Sequence, residues 1–96
     1  MQWINVAKPP MNDIALFDKV CDAAGEPEGM LFRYAGPGSD GWLRVIVGWA
    51  SREQADRFFA EALGPALGRL LGPEPAGRPE VVGVAVERAF AAEPVS

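Results

Sequence analysis

The sequence predicts an α+β domain, a four-stranded antiparallel sheet with two helices packed on one of its faces. Three observations carry this. An apolar strand at residues 42–49 runs directly into an amphipathic helix that opens at Ser51. Shorter strand patterns stand at residues 2–7, 30–35 and 81–90. A second helix pattern separates the first two of them, so the order is strand, helix, strand, strand, helix, strand.

The first strand places Trp3, Asn5 and Ala7 on one face and Gln2, Ile4 and Val6 on the other, with Asn5 the odd polar group. Pro9 and Pro10 stop it. Asn12 or Asp13 can then cap a helix whose buried stripe is Ile14, Phe17, Cys21 and Ala24, widened by Leu16 and Val20, and Gly25 ends it. The second strand puts Leu31, Arg33 and Ala35 on one face and Met30, Phe32 and Tyr34 on the other. A Gly- and Pro-containing hairpin loop at residues 36–41 leads to the strand at 42–49, whose Val45, Ile46 and Val47 make it apolar on both faces and central in the sheet. Ser51 and Gln54 have capping-box spacing. Ala55, Phe58, Phe59, Ala62, Leu63, Ala66, Leu67, Leu70 and Leu71 then form the buried stripe of a long helix, which Pro65 must kink or restart, with Gly64 easing the break. Residues 72–79 are a loop rich in Pro and Gly, and the last strand follows. This is the ferredoxin-like split βαβ unit, βαββαβ.

With 96 residues the chain makes one domain, residues 1–90, and residues 91–96 read as a flexible tail. Half of the composition is apolar, which fits a globular protein. The net charge of −4 is dispersed and the two lysines, Lys8 and Lys19, do not cluster, so nucleic acid is not an expected partner. No run reaches the ~20 apolar residues that span a bilayer and no signal-peptide pattern opens the sequence, so no membrane is expected and the location expected is cytoplasmic. One cysteine rules out an internal disulfide. The absence of histidine removes the usual metal-ligand sets, and neither a metal nor a cofactor is expected. A sheet with apolar strands on both faces needs a second cover, which predicts a homodimer whose two sheets form a shared barrel.

Several segments resemble the dimeric α/β-barrel superfamily, in particular its small actinobacterial antibiotic-biosynthesis-monooxygenase-like proteins. They are Leu31-Phe32 with Ala35-Gly36-Pro37, Asp40-Gly41-Trp42, Trp49-Ala50-Ser51-Arg52-Glu53, and Asp56-Arg57-Phe58-Phe59 with Leu63-Gly64-Pro65-Ala66-Leu67. The resemblance implies the fold and the dimer. For activity it implies only a scaffold shared by cofactor-free oxygenases, polyketide cyclases and lactone isomerases. The resemblance also implies two departures: many relatives carry histidines at the positions of Arg33 and Glu87, and family oxygenases tend to have an asparagine where Val45 stands, which weakens the oxygenase expectation.

Three functions therefore stand open. The first is a cofactor-independent cyclase or isomerase acting on a hydrophobic polyketide-like substrate, with Glu87 as base and Arg33 and Tyr34 stabilising negative charge. The second is a cofactor-free monooxygenase of aromatic polyketides, and the third a non-catalytic small-molecule binding protein. Asn5, Trp3 and Trp49 are the expected substrate-binding residues. Each candidate also has a plainer reading: Arg33 and Glu87 as a structural ion pair, Tyr34 as edge-strand packing, the tryptophans as core. Cys21, on the buried stripe and without a histidine to activate it, is read as a core residue. Substrate identity, stereochemistry and the occurrence of turnover are not encoded legibly.

Overall fold

Local signals set the elements of this computed structural model, which describes residues 2–72 and 79–90. β1 (Trp3–Lys8) ends where Pro9 begins, and Asp13 caps α1 (Ile14–Ala24) by accepting from the Ala15 and Leu16 amides at 2.9 and 3.2 Å. Asn12 serves the fold elsewhere: its Oδ1 accepts from the Leu43 amide at 2.8 Å and its Nδ2 donates to the Gly41 carbonyl. Gly25, at φ +82°, closes α1. β2 (Met30–Pro37) and β3 (Leu43–Trp49) form the predicted hairpin. Asp40 organises its turn, accepting from the Trp42 amide and pairing with Arg44 at 2.8 Å.

The four strands, with β4 (Glu80–Ala85), make one antiparallel sheet in the order β2-β3-β1-β4. The helices cover one face. Ser51 caps α2 (Arg52–Phe58) by accepting from the Gln54 amide, and its hydroxyl donates to Gln54 Oε1, so the glutamine reaches the capping side chain. The break at Pro65 takes the second of the expected forms: a π-helical turn over Phe59–Leu63, in which the Gly64 amide donates to the Phe59 carbonyl, then a restart as α3 (Gly64–Leu71) with Pro65 in its first turn. The wider turn accommodates the N–H that proline lacks.

Three expectations are corrected. A β-bulge between Met30 and Phe32 sets two β2 residues against one of β3, so Met30 joins Arg33 and Ala35 on the helix side and Leu31 is turned out, half exposed. β4 stops at Ala85 rather than at 90. It is an edge strand paired with β1 from Lys8–Glu80 to Trp3–Ala85, and the Val86 amide donating to the Gln2 carbonyl is the last such bond among the described residues. Ile14, expected on the buried stripe of α1, is exposed.

Val45, Val47, Trp49, Ala55 and Phe58 form the first part of the core, and Met11, Val20, Leu43 and Ala66 the second, both between sheet and helices. Each such side chain contributes about 1.5–3 kcal/mol when fully buried. The opposite face of the sheet carries Val6, Tyr34, Ile46, Val82 and Val84, all exposed in the single chain.

Candidate functional site

The cross-strand register lines up the residues of the site. On the helix-facing side, Gly83, Asn5, Val47 and Arg33 form one row across the four strands. The next row is Ala85, Trp3, Trp49 and Met30. Neighbouring strands lie about 4.8 Å apart, so Asn5 and Arg33 stand roughly 10 Å apart at the backbone. The helices do not fill the space above these rows completely. A cavity of about 140 Å³ remains, walled by Val45, Val47 and Trp49 below and by Phe17, Val20 and Phe58 above. A cavity of about this size lined by apolar side chains takes up a single aromatic ring.

Two polar atoms in this wall are unsatisfied. Asn5 Oδ1 and Trp49 Nε1 are both buried without a hydrogen-bond partner, on residues 5 % and 0 % exposed. An orphaned group of this kind costs about 1–3 kcal/mol. One is an acceptor and the other a donor, and the residues lie diagonal to each other on adjacent strands of the same face. Neither atom reaches the cavity surface, which is wholly apolar, so a ligand hydroxyl or carbonyl would meet them only where the side chains covering them shift.

Two cations stand at the edge of the same cavity. Arg33 is exposed on the edge strand, its guanidinium 5.9 Å from the centre of the Phe17 ring. Lys8 has its ammonium 5.5 Å from the Trp42 ring and 4.0 Å from the Glu80 carboxylate. No aspartate, glutamate or histidine lines the cavity among the described residues. Cys21 does line it, but burial pushes its thiol above the ordinary value; the Arg33 charge opposes this and Asp18 and Asp22 add to it. The thiol is therefore held in its protonated form at neutral pH and is a poor nucleophile.

Of the six residues singled out in the sequence, Asn5, Trp49 and Arg33 lie in the cavity wall. Tyr34 does not. Consecutive strand residues point to opposite faces, so it sits on the outer face, 66 % exposed, stacked on Phe32 at 5.0 Å between centroids. Glu87 lies beyond the end of β4, exposed, and is not part of the wall. Trp3 is also outside it: the ring lies over Gly83, whose missing side chain makes room for it, and Arg52 stands 4.8 Å from its centre. Arg33, Tyr34 and Glu87 are thus not brought together within one chain. The sequence reading missed Pro9, Pro10 and Met11, taken only as a strand stop. All three are buried in the cavity wall, held there by the Trp42 indole donating to the Pro9 carbonyl at 3.0 Å. Two prolines and a methionine in succession, with no charge, were the available signal.

An antiparallel sheet in the order β2-β3-β1-β4, with the helices on one face and a cavity between the two layers, defines a ferredoxin-like domain with an internal cavity. No protein-family model matches the sequence, and no curated protein does. Solved structures do, and they are antibiotic biosynthesis monooxygenase-like proteins of this fold. One from Caulobacter crescentus, described as a putative antibiotic biosynthesis monooxygenase, is 23 % identical over 90 % of both chains, with a TM-score of 0.61. The monooxygenase of the ActVA-Orf6 gene of Streptomyces coelicolor, solved with the ligand nanaomycin D, is 21 % identical over 96 % of this chain and 92 % of its own, with a TM-score of 0.60. SnoaB from Streptomyces nogalater, a cofactor-independent oxygenase, is 12 % identical over 95 % and 96 % of the two chains, with a TM-score of 0.65. The likeness is one of fold. No helix among the described residues is long and apolar enough to cross a membrane.

Proposed function

We propose that this chain is a cofactor-independent enzyme that binds a hydrophobic, polyketide-like hydroxyarene in the cavity between sheet and helices and oxygenates it. The observation that carries the reading is the pair of unsatisfied groups, Asn5 Oδ1 and Trp49 Nε1, buried in an otherwise apolar wall. A ligand hydroxyl donating to Asn5 and a carbonyl or ionised oxygen accepting from Trp49 would relieve both, once the apolar side chains that cover these atoms give way. Arg33 at the rim would offset negative charge on the bound compound. Asn5 also lies diagonal to Val45 on the same face, so its carboxamide stands next to the position where family oxygenases place an asparagine.

In this reading the ionised hydroxyarene gives electrons directly to O2. The hydroxyl proton has been lost to solvent; one oxygen atom enters the ring carbon, that carbon's hydrogen leaves with the other oxygen as hydroxide, which takes a proton back from solvent as water, and the ring becomes a quinone. Cyclisation or isomerisation would need a protein group to move the proton. Glu87, the base expected for it, lies outside the cavity, so that reaction ranks second. Tyr34 lies on the outer face and is left out of the cavity chemistry.

The outer face supports the second part of the proposal, a homodimer. Val6, Ile46, Val82 and Val84 form an apolar surface across three strands, 40–64 % exposed in one chain, and a second copy of the sheet would cover it.

The test is incubation with hydroxyarenes of one, two and three fused rings, following oxygen uptake and product mass. Uptake of one O2 per product, with two hydrogens lost and one oxygen gained, supports oxygenation. An isomeric product without uptake supports the cyclase or isomerase reading, and a bound but unchanged compound supports the binding protein.

A further inference from the structure

Charge, rather than shape, is the unused feature of the cavity. Its wall carries two cations, Lys8 and Arg33, and no acidic side chain among the described residues. Lys8 has Glu80 as a partner at 4.0 Å. Arg33 forms no ion pair with any described residue; Asp18 and Asp22 of α1, whose charges reach Cys21, are not paired with it. Its guanidinium lies 5.9 Å from the centre of the Phe17 ring, and its N–H groups have no carboxylate partner among the described residues. The two neutral unsatisfied groups lie deeper, on Asn5 and Trp49. The site therefore has an apolar interior, two neutral polar atoms buried behind its surface, and an exposed arginine whose stem forms part of its edge.

We propose that the natural ligand carries a carboxylate at one end of its flat apolar body, and that Arg33 is the residue that selects it. This rests on the reading of the cavity as a small-molecule site. The ring lies on Val45, Val47 and Trp49, and the carboxylate projects to the rim, where a guanidinium can grip both oxygens at once. Lysine at position 33 would keep the charge but lose the fork, so it would keep only part of the selectivity. Because Arg33 is exposed, the attraction is screened by salt, whereas the binding of a neutral body is not.

The probes are trans-cinnamate and its neutral isostere cinnamamide. Each is titrated into the full-length protein at neutral pH and followed by tryptophan fluorescence and calorimetry. We expect the wild type to bind the acid about tenfold more tightly than the amide. Arg33→Gln removes that preference, so that acid and amide bind alike within the variant, and Arg33→Lys falls between. Raising salt on the wild type weakens the acid only, a measurement that does not depend on any variant folding. Equal affinity for the two compounds, or an acid preference that survives Arg33→Gln, overturns the inference and leaves the small-molecule site standing. Binding of neither compound to the wild type overturns the site and the inference together.

Discussion

Replacing Asn5 with leucine removes an unsatisfied buried acceptor, keeps the same branching with four non-hydrogen side-chain atoms and places the added volume against the cavity, so the apo protein should become more stable. Asn5 is 5 % exposed and its Oδ1 has no partner, so the folded state carries a desolvation cost that the unfolded chain, hydrated, does not. Relieving it is worth about 1–3 kcal/mol. The leucine side chain adds contacts with Val47 across the strand pair. In a domain of this size each kcal/mol moves the midpoint by about 4–8 °C, so the variant should melt at least about 4 °C above the wild type. Thermal unfolding followed by circular dichroism, at a single protein concentration so that self-association cannot move the midpoint, measures it. Ligand affinity should fall in the same variant, because the acceptor is lost. A midpoint that drops would refute the reasoning, since the carboxamide would then be making hydrogen bonds worth more than its burial costs, and the cavity would be satisfied without a ligand.

Other perturbations test the frame around the site. Gly83→Ala places a methyl group against the Trp3 indole, and overpacking of this kind costs about 1–3 kcal/mol, read as a lower urea midpoint at unchanged slope; no loss would mean that the ring swings free of Arg52. Ile46→Lys puts a charge on the outer face twice per dimer and should weaken self-association about a hundredfold or more, seen by light scattering across a dilution series; an unchanged dimer would place the interface elsewhere. The carboxyl of Asp40 is held below its ordinary range by the Trp42 amide and then by Arg44. Its contribution is thus fully present above the unfolded-state value and is lost as pH falls through the folded one. The stability gap between wild type and Asp40→Ala should be full at neutral pH and narrow in acid, and a gap independent of pH would show that the carboxylate is not the relevant group.

Most of the architecture was legible because each element carries its own signal. Asp13 and Ser51 cap helices, Gly25 ends one, and the apolar run at 42–49 forms a strand paired along both edges, with β2 and β1. What was not legible depends on partners distant in sequence. The bulge at Leu31 exchanges the faces of Met30 and Leu31, and an alternating pattern cannot report a residue that leaves the ladder. β4 ends where β1 begins, so the valine pattern before Glu87 overstates the strand, and with the strand's end went the placement of Glu87. The inward direction of Arg33 and Asn5 follows from strand parity. The opposite direction of Tyr34 follows from the same rule, and grouping it with Arg33 ignored that rule.

Agreement between local signals and the observed fold fails at one kind of position, and that is where the site lies. Along β1 and β3 the helix-facing residues are apolar or aromatic except for a carboxamide and an indole N–H, both without partners. The rest of the core follows the packing rules closely: the Trp49 ring lies 5.5 Å from that of Phe58, and Ala55 and Ala66 are fully buried where helices meet the sheet. In a core that could have closed with Leu in place of Asn5, keeping a cavity and two orphaned polar groups costs stability with no return in packing. The return has to come from what enters the cavity. On the proposed function, the same residues that make the apo protein less stable than it could be are those that would hold its ligand: Asn5 a hydroxyl, Trp49 an oxygen, the valines a ring, and Arg33 an anion.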